Sequence, residues 1–176
     1  MIGIIDYGMG NVGSVESMIN HLGYYKTKII TTSKELKEVD KIILPGVGTF
    51  DNGVKNLKES GLFDELNTQV LVNNKPVLGI CLGMQLLMDK SEEGKLDGLG
   101  WIKGECKKFI FTDKSLKIPH MGWNETFPVT NELCEKTNYG VDFVSGVSKD
   151  NIFGVQFHPE KSHRYGMNLM KKFIKL

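Results

Sequence analysis

Pro76-Val77-Leu78-Gly79-Ile80-Cys81-Leu82-Gly83-Met84-Gln85-Leu86-Leu87 runs an apolar strand into a cysteine bracketed by glycines and then into a helix. The spacing Gly79-x-Cys81-x-Gly83 is that of a nucleophile elbow. In such a turn the reactive residue takes a strained backbone, and the flanking glycines remove side chains that would collide with strand and helix. Cys81 is then the candidate nucleophile, at the N-terminus of a helix over Leu82–Met88 where free N–H groups and the helix dipole favour thiolate over thiol. The Leu82 N–H would point at an oxyanion forming on an attacked carbonyl. Taken alone, the stretch also reads as a buried, inert cysteine, so the partners of Cys81 must come from the rest of the chain.

Upstream, Ile2–Ile5 is a short apolar strand followed by the glycine-rich Asp6-Tyr7-Gly8-Met9-Gly10-Asn11 and a helix with Val12, Val15, Met18, Ile19 and Leu22 on one face. Gly8, Gly10 and Gly13 also spell a dinucleotide fingerprint in strand-to-helix context. The next strand, Thr27–Thr32, lacks the acid expected for ribose, which favours a tight turn with Asn11 capping the helix. Lys41–Leu44 is a third strand, and Pro45-Gly46-Val47-Gly48 at its end can bring backbone close to a ligand and present a second oxyanion N–H. Helical patterning then runs through Phe50, Val54 and Leu57 and on through Leu62, Leu66 and Val70. Gly46–Gly48 and Cys81 thus leave the same edge of a parallel sheet, where open α/β folds bind their ligands.

Downstream, Trp101–Phe111 reads as strand, and the pattern shifts toward antiparallel β structure without a new domain. Ile118–Asn124 is a dense aromatic and polar knot containing His120. Val141–Val147 and Ile152–Gln156 form a hairpin joined by Ser148–Asn151, and a last helix spans about Arg164 to Leu176 with Met167, Met170, Phe173 and Ile174 inward. Phe157-His158-Pro159-Glu160 follows the final strand. The proline biases His158 toward extended backbone, and a turn that brings His158 to Glu160 supplies a base and its orienter. Alone the tripeptide is equally an ordinary surface turn. Zinc binding by Cys81 and His158 is a weaker reading because no further ligands stand at recognisable spacing.

The totals bound the setting. A chain of 176 residues suffices for one compact domain that buries roughly 70% of its unfolded surface. Lys+Arg 22 against Asp+Glu 21, with Arg164 the lone arginine, argues against nucleic acid or an anionic membrane as partner. Cys81, Cys106 and Cys134 are odd in number and widely spaced, as suits a reducing cytoplasm. No stretch approaches the ~20 apolar residues that span a bilayer.

In order along the chain, Asp6–Asn11, Pro45–Gly48, Gly79–Gln85, Pro119–Asn124 and Gln156–Ser162 resemble the motifs of class I (triad-type) glutamine amidotransferases, over nearly the whole length. That resemblance implies an α/β, flavodoxin-like three-layer fold: an open, mostly parallel sheet flanked by helices, with an antiparallel β extension, in a single domain over 1–176. It implies hydrolysis of L-glutamine to glutamate and ammonia without cofactor or metal. It further implies that the ammonia passes to a (β/α)8-barrel synthase subunit in a heterodimer, for imidazole glycerol phosphate formation in histidine biosynthesis. By matched position, Cys81 is the nucleophile, His158 relays the proton and Glu160 orients it. Val47 and Leu82 supply oxyanion N–H groups, Gly46, Gly48, Gln85 and Glu93 line the glutamine pocket, and Asn11, Trp123 and Lys161 meet the synthase. The family carries more chain between Asn124 and Thr137, including a strand that holds the substrate α-carboxylate, so this sequence reads as shortened between about 125 and 136. Gly98–Ile102 and Lys161–Met167 keep amidation of a surface-polysaccharide sugar as an alternative acceptor pathway, and the shortening keeps a non-catalytic partner-binding module as another.

Overall fold

The computed structural model describes residues 1–111, 113–118 and 134–176 in full and Thr126–Pro128 by their backbone. Its first half alternates strand and helix: β1 (Ile2–Ile5), α1 (Val12–His21), β2 (Thr27–Ile30), α2 (Ser33–Lys37), β3 (Lys41–Gly46), α3 (Phe50–Glu59), α4 (Phe63–Asn67), a π-helical turn (Thr68–Val72), β4 (Val77–Cys81) and α5 (Leu82–Leu86). The second half is β-rich: β5 (Lys90–Ser91), β6 (Glu105–Cys106), β7 (Thr126–Pro128), β8 (Cys134–Tyr139), β9 (Val141–Lys149), β10 (Ile152–Val155), a 3-10 turn (Pro159–Lys161) and α6 (His163–Lys175).

Among the described residues one sheet runs in the order β2-β1-β3-β4-β10-β9-β8-β7. It is parallel from β2 to β10 and antiparallel from β10 to β7. The continuous apolar runs in β1 and β3 follow from coverage on both faces. Ile2, Ile4, Ile43, Leu78 and Ile80 pack under Val15 and Ile19 of α1 and Met170 and Phe173 of α6. Ile5, Ile42 and Leu44 point the other way, toward Phe50, Leu57, Leu66, Leu82 and Leu86 on α3, α4 and α5. The result is the expected three-layer α/β fold, with β10 taking the fifth place of the flavodoxin-like order.

Several boundaries differ from the sequence reading, each for a local reason. β2 stops at Ile30 because Thr31 and Thr32 are used by α2: Thr32 and Glu35 form a reciprocal capping box. β3 continues through Pro45 and Gly46, which stay in register with Ile80 and Cys81. α5 ends at Leu86, not Met88, because Leu87 N–H and Met88 N–H bond carbonyls three residues back and close the helix. Trp101–Phe111 is not a strand beyond the two residues of β6. Instead Leu99, Gly100, Trp101 and Ile102 donate their N–H groups to the carbonyls of Leu86, Met88 and Leu87, sealing the end of α5. The β9–β10 hairpin turns tightly on Asp150-Asn151, since Lys149 pairs with Ile152. α6 begins one residue earlier than expected and keeps Met170 and Phe173 buried, with Met167 and Ile174 half-buried. Of the aromatic knot, His120 and Trp123 lie outside the described residues. No helix among the described residues is long and apolar enough to cross a membrane.

Thr32→Ala removes the exposed cap of α2 and nothing else. It is expected to lower the free energy of unfolding by about 1 kcal/mol in chemical denaturation.

Candidate active site

Four segments leave the C-terminal edge of the parallel strands side by side: the loop after β1, Pro45–Gly48 after β3, Cys81 after β4 and Gln156–Glu160 after β10. Cys81 is half-buried and adopts φ 56°, ψ −113°, a left-handed conformation that a non-glycine residue holds only where its surroundings over-determine it. Those surroundings are backbone. A Cβ on Gly79 would lie 2.8 Å from the Gly83 carbonyl carbon and oxygen, and one on Gly83 would overlap the carbonyl oxygen of Leu44. The glycines at minus two and plus two therefore let the turn after β4 close against both β3 and its own helix.

Gly46 is the in-register neighbour of Cys81 on β3, and a Cβ on it would sit 2.8 Å from the Gly83 nitrogen and 2.7 Å from Tyr7 Oη. Gly48 holds φ +111° with Met9 Cε lying where its side chain would be. Between them Val47 is 43% exposed. Among the described residues neither Val47 nor Gly48 donates a backbone hydrogen bond. Leu82 opens α5, so its N–H has no acceptor within the helix. Val47 and Leu82 thus stand on adjacent segments, directly after the paired residues Gly46 and Cys81.

His158 is extended (φ −95°, ψ 102°) ahead of Pro159, and the 3-10 turn that follows swings Glu160 back to it. His158 Nδ1–H donates to Glu160 Oε1 at 2.8 Å, and Glu160 is almost wholly buried, with 2% of its side chain exposed. The imidazole also hydrogen-bonds the Cys81 sulfur. These two acceptors, sulfur first, push His158 up to about 9 against the opposing effect of burial. Ser162 Oγ–H and Lys161 N–H both donate to the His158 carbonyl, fixing the turn.

Gln85, one turn along α5, donates through Nε2 to Gln156 Oε1 at 3.1 Å, and Gln156 Nε2 donates to Cys81 Sγ at 3.8 Å. Glu93 is further out: its N–H donates to Ser91 Oγ, and its charge adds to the burial that pushes the Cys106 thiol up to about 11. Cys106 in turn contacts the Gln85 carbonyl at 3.9 Å. Asn11 is exposed and caps α1 by accepting from Ser14 N–H, and Lys161 is exposed beside Glu160. Trp123 lies outside the described residues. Two neighbours of Cys81 were quoted in motifs but given no role from sequence, Gln156 and Tyr7. The Tyr7 hydroxyl is buried without a partner, and burial, then the Cys81 charge, raises its ionisation well above the usual phenol range. No three His, Cys, Asp or Glu residues among those described are grouped to hold a metal.

The family signature described as glutamine amidotransferase class-I matches residues 3–144. The chain belongs to that family. Its curated relatives are more particular: it is 51% identical over 203 residues, covering 99% of both chains, to the imidazole glycerol phosphate synthase subunit HisH 2 of Methanococcus maripaludis. It is 41% identical over 203 residues to subunit HisH 2 of Pseudomonas aeruginosa and 42% identical over 205 residues to subunit HisH of Leptospira interrogans, with all of each chain covered. A solved glutamine amidotransferase superposes with a TM-score of 0.72 over 99% of this chain and 97% of its own, at 17% identity, which bears on the fold alone.

Two outcomes follow from this geometry. Gly83→Ala forces the Leu44 carbonyl away from α5 and is expected to destabilise the protein by at least about 3 kcal/mol in denaturant titration, with wild-type stability contradicting the backbone contact. Because the folded value of His158 lies above the ordinary 6.5, its contribution to stability is complete below about pH 6.5 and is lost as pH rises through about 9. Nuclear magnetic resonance titration of the ring should give an apparent midpoint near 9 for the coupled pair, falling in Glu160→Gln; a wild-type midpoint at 6.5 contradicts the pairing.

Proposed function

We propose that this chain is the glutaminase subunit of an imidazole glycerol phosphate synthase, releasing ammonia from L-glutamine for a synthase partner in histidine biosynthesis. The observation that carries the reading is the left-handed Cys81 with its sulfur bonded to an imidazole that is itself held by the buried Glu160. The full-length relatives named HisH supply the pathway.

In this mechanism the Cys81 thiolate attacks the carboxamide carbon, and the carbonyl oxygen takes the negative charge toward the N–H groups of Leu82 and Val47. His158, charged at neutral pH, gives its proton to the departing nitrogen, so ammonia leaves and a thioester remains. The now neutral imidazole takes a proton from water, whose oxygen attacks the thioester. Collapse frees glutamate and returns the thiolate–imidazolium pair. Glu160 keeps the Nδ1–H tautomer and offsets the imidazolium charge. Gly46 and Gly48 let backbone approach the substrate, and Gln85 and Glu93 line the glutamine pocket.

The partner we infer is a (β/α)8-barrel synthase in a heterodimer, met by exposed Asn11 and Lys161 on the catalytic edge and by Trp123. Docking there would cover the edge from which ammonia leaves and keep it from escaping as ammonium. We place the enzyme in the cytoplasm, where the thiols of Cys81 and Cys106 stay reduced. Alignments with the relatives run over 203 to 205 residues against 176 here. We assign the shortfall to the region between about 125 and 136, within the single domain.

Cys81→Ala is expected to reduce glutamate release by the complex with the synthase subunit at least about 10³-fold while the melting curve is retained. Glutamate release that persists in a clean preparation overturns the assignment.

A further inference from the structure

Gln156 touches the Cys81 sulfur, and the reaction as written does not use it. It stands one residue beyond β10, where its backbone N–H donates to Ser145 O at 2.9 Å and holds the strand end against β9. Side chains alternate along an extended chain, so Gly154, Gln156 and His158 share one face. Gly154 identifies that face as the one against α5, because a Cβ there would sit 2.8 Å from Met84 Cγ. Cys81 caps α5 and Gln85 follows one turn later, and the Gln156 carboxamide spans the two. Its oxygen accepts from Gln85 Nε2 at 3.1 Å and its nitrogen donates to Cys81 Sγ at 3.8 Å.

This chain of bonds has one consistent direction when the sulfur is ionised. A thiolate accepts and cannot donate, so Gln156 must turn its NH2 toward Cys81 and its oxygen toward Gln85. We propose that Gln156 is a positioning residue for the nucleophile: Gln85 sets the flip of its amide, and the amide N–H holds the Cys81 sulfur in place and stabilises it as thiolate. The inference rests on Cys81 being the nucleophile. The titratable groups that face the sulfur are His158 after β10, backed by Glu160, and the Tyr7 phenol after β1. Of these only His158 brings positive charge, and the Gln156 N–H adds a hydrogen bond to the anion beside it. When the sulfur is acylated it loses its charge and this bond weakens; it strengthens again as the thioester is hydrolysed.

The test is the pH dependence of Cys81 alkylation by iodoacetamide on the full chain, read peptide by peptide in a mass spectrometer so that Cys106 and Cys134 are counted apart. Wild type, Gln156→Leu and Gln156→Glu are compared, with melting curves alongside. Gln156→Leu is expected to raise the apparent pKa of alkylation by roughly one unit, a tenfold loss of thiolate below it and the scale of one hydrogen bond to a charged group. Gln156→Glu should raise it further, because it keeps an acceptor for Gln85 but sets a carboxylate beside the sulfur. Rates converge at high pH, where every variant is thiolate. The order Gln, Leu, Glu in variants that melt like wild type supports the proposal, and superimposable profiles overturn it. If position 156 does not tolerate change, Gln85→Leu, which frees the amide to flip, should give a smaller rise, and its absence likewise overturns the proposal. Alkylation needs no turnover, so failure of the glutaminase reading would show separately, as glutamate release surviving Cys81→Ala.

Discussion

Where α5 passes β3, main chain meets main chain: Gly83 is against the Leu44 carbonyl, Gly79 is against the Gly83 carbonyl, and Gly46 is against the Gly83 nitrogen. Three glycines from two strands and a helix let these elements approach more closely than any Cβ would permit. The turn between β4 and α5 has no room for a relaxed residue, and Cys81 takes φ 56° as a consequence. Such strain costs of order 1–3 kcal/mol. Leu82 and Leu86, both 1% exposed, offset it, since burying each contributes about 1.5–3 kcal/mol. The core under α5 therefore holds Cys81 in a conformation it would not adopt alone. The same closeness brings Leu82 to the loop that carries Val47.

The second half of the site depends on a charge balance. A carboxylate as buried as Glu160 is costly unless it is paired, and its partner is the His158 ring. His158 is held charged from both sides, by the sulfur and by Glu160, which is why burial does not lower it. The imidazolium and the buried carboxylate thus stabilise each other, with the Cys81 sulfur as the ring's other partner. Pro159 makes this possible by starting a 3-10 turn directly after an extended residue, so that two side chains separated by one position converge.

Features set by local chemistry were legible in the sequence, and those set by contact between distant segments were not. The glycine spacing around Cys81 has a steric meaning that survives without coordinates, and the proline between His158 and Glu160 likewise restricts its neighbour. The end of β2 was also readable, because Thr32 followed by Glu35 is a capping box; the β-forming threonines masked it. Trp101–Phe111 was misread for a different reason. Its apolar residues dock a loop, with Trp101 Nε1–H donating to Asn67 Oδ1 at 2.7 Å, and nothing local distinguishes that from strand. Gln156 was visibly on the same face as His158, yet its contact with Cys81 exists only because β10 pairs with β4.

The distribution of unpaired polar atoms fits this division of labour. Buried polar side chains away from the site are satisfied, as Thr137 Oγ1–H donates to Ser145 Oγ at 2.7 Å and Gln69 Nε2–H to Glu65 Oε1 at 2.6 Å. Among the described residues the two buried side-chain atoms without a partner are Tyr7 Oη and Glu160 Oε2, and both belong to this edge. Leaving such a group unbonded costs about 1–3 kcal/mol. The Tyr7 hydroxyl abuts Gly46, Met9 abuts Gly48, and a Cβ on Gly10 would sit 3.3 Å from Pro45. The loop after β1 therefore shapes the Pro45–Gly48 segment by van der Waals contact alone. Such contact is non-directional: beyond Pro45 and Gly46, which the ladder to β4 holds, it decides where Val47 and Gly48 run and gives their N–H groups no backbone acceptor among the described residues. An N–H that stays free of the protein is available to a charge that develops only during reaction, which is the condition for stabilising an oxyanion.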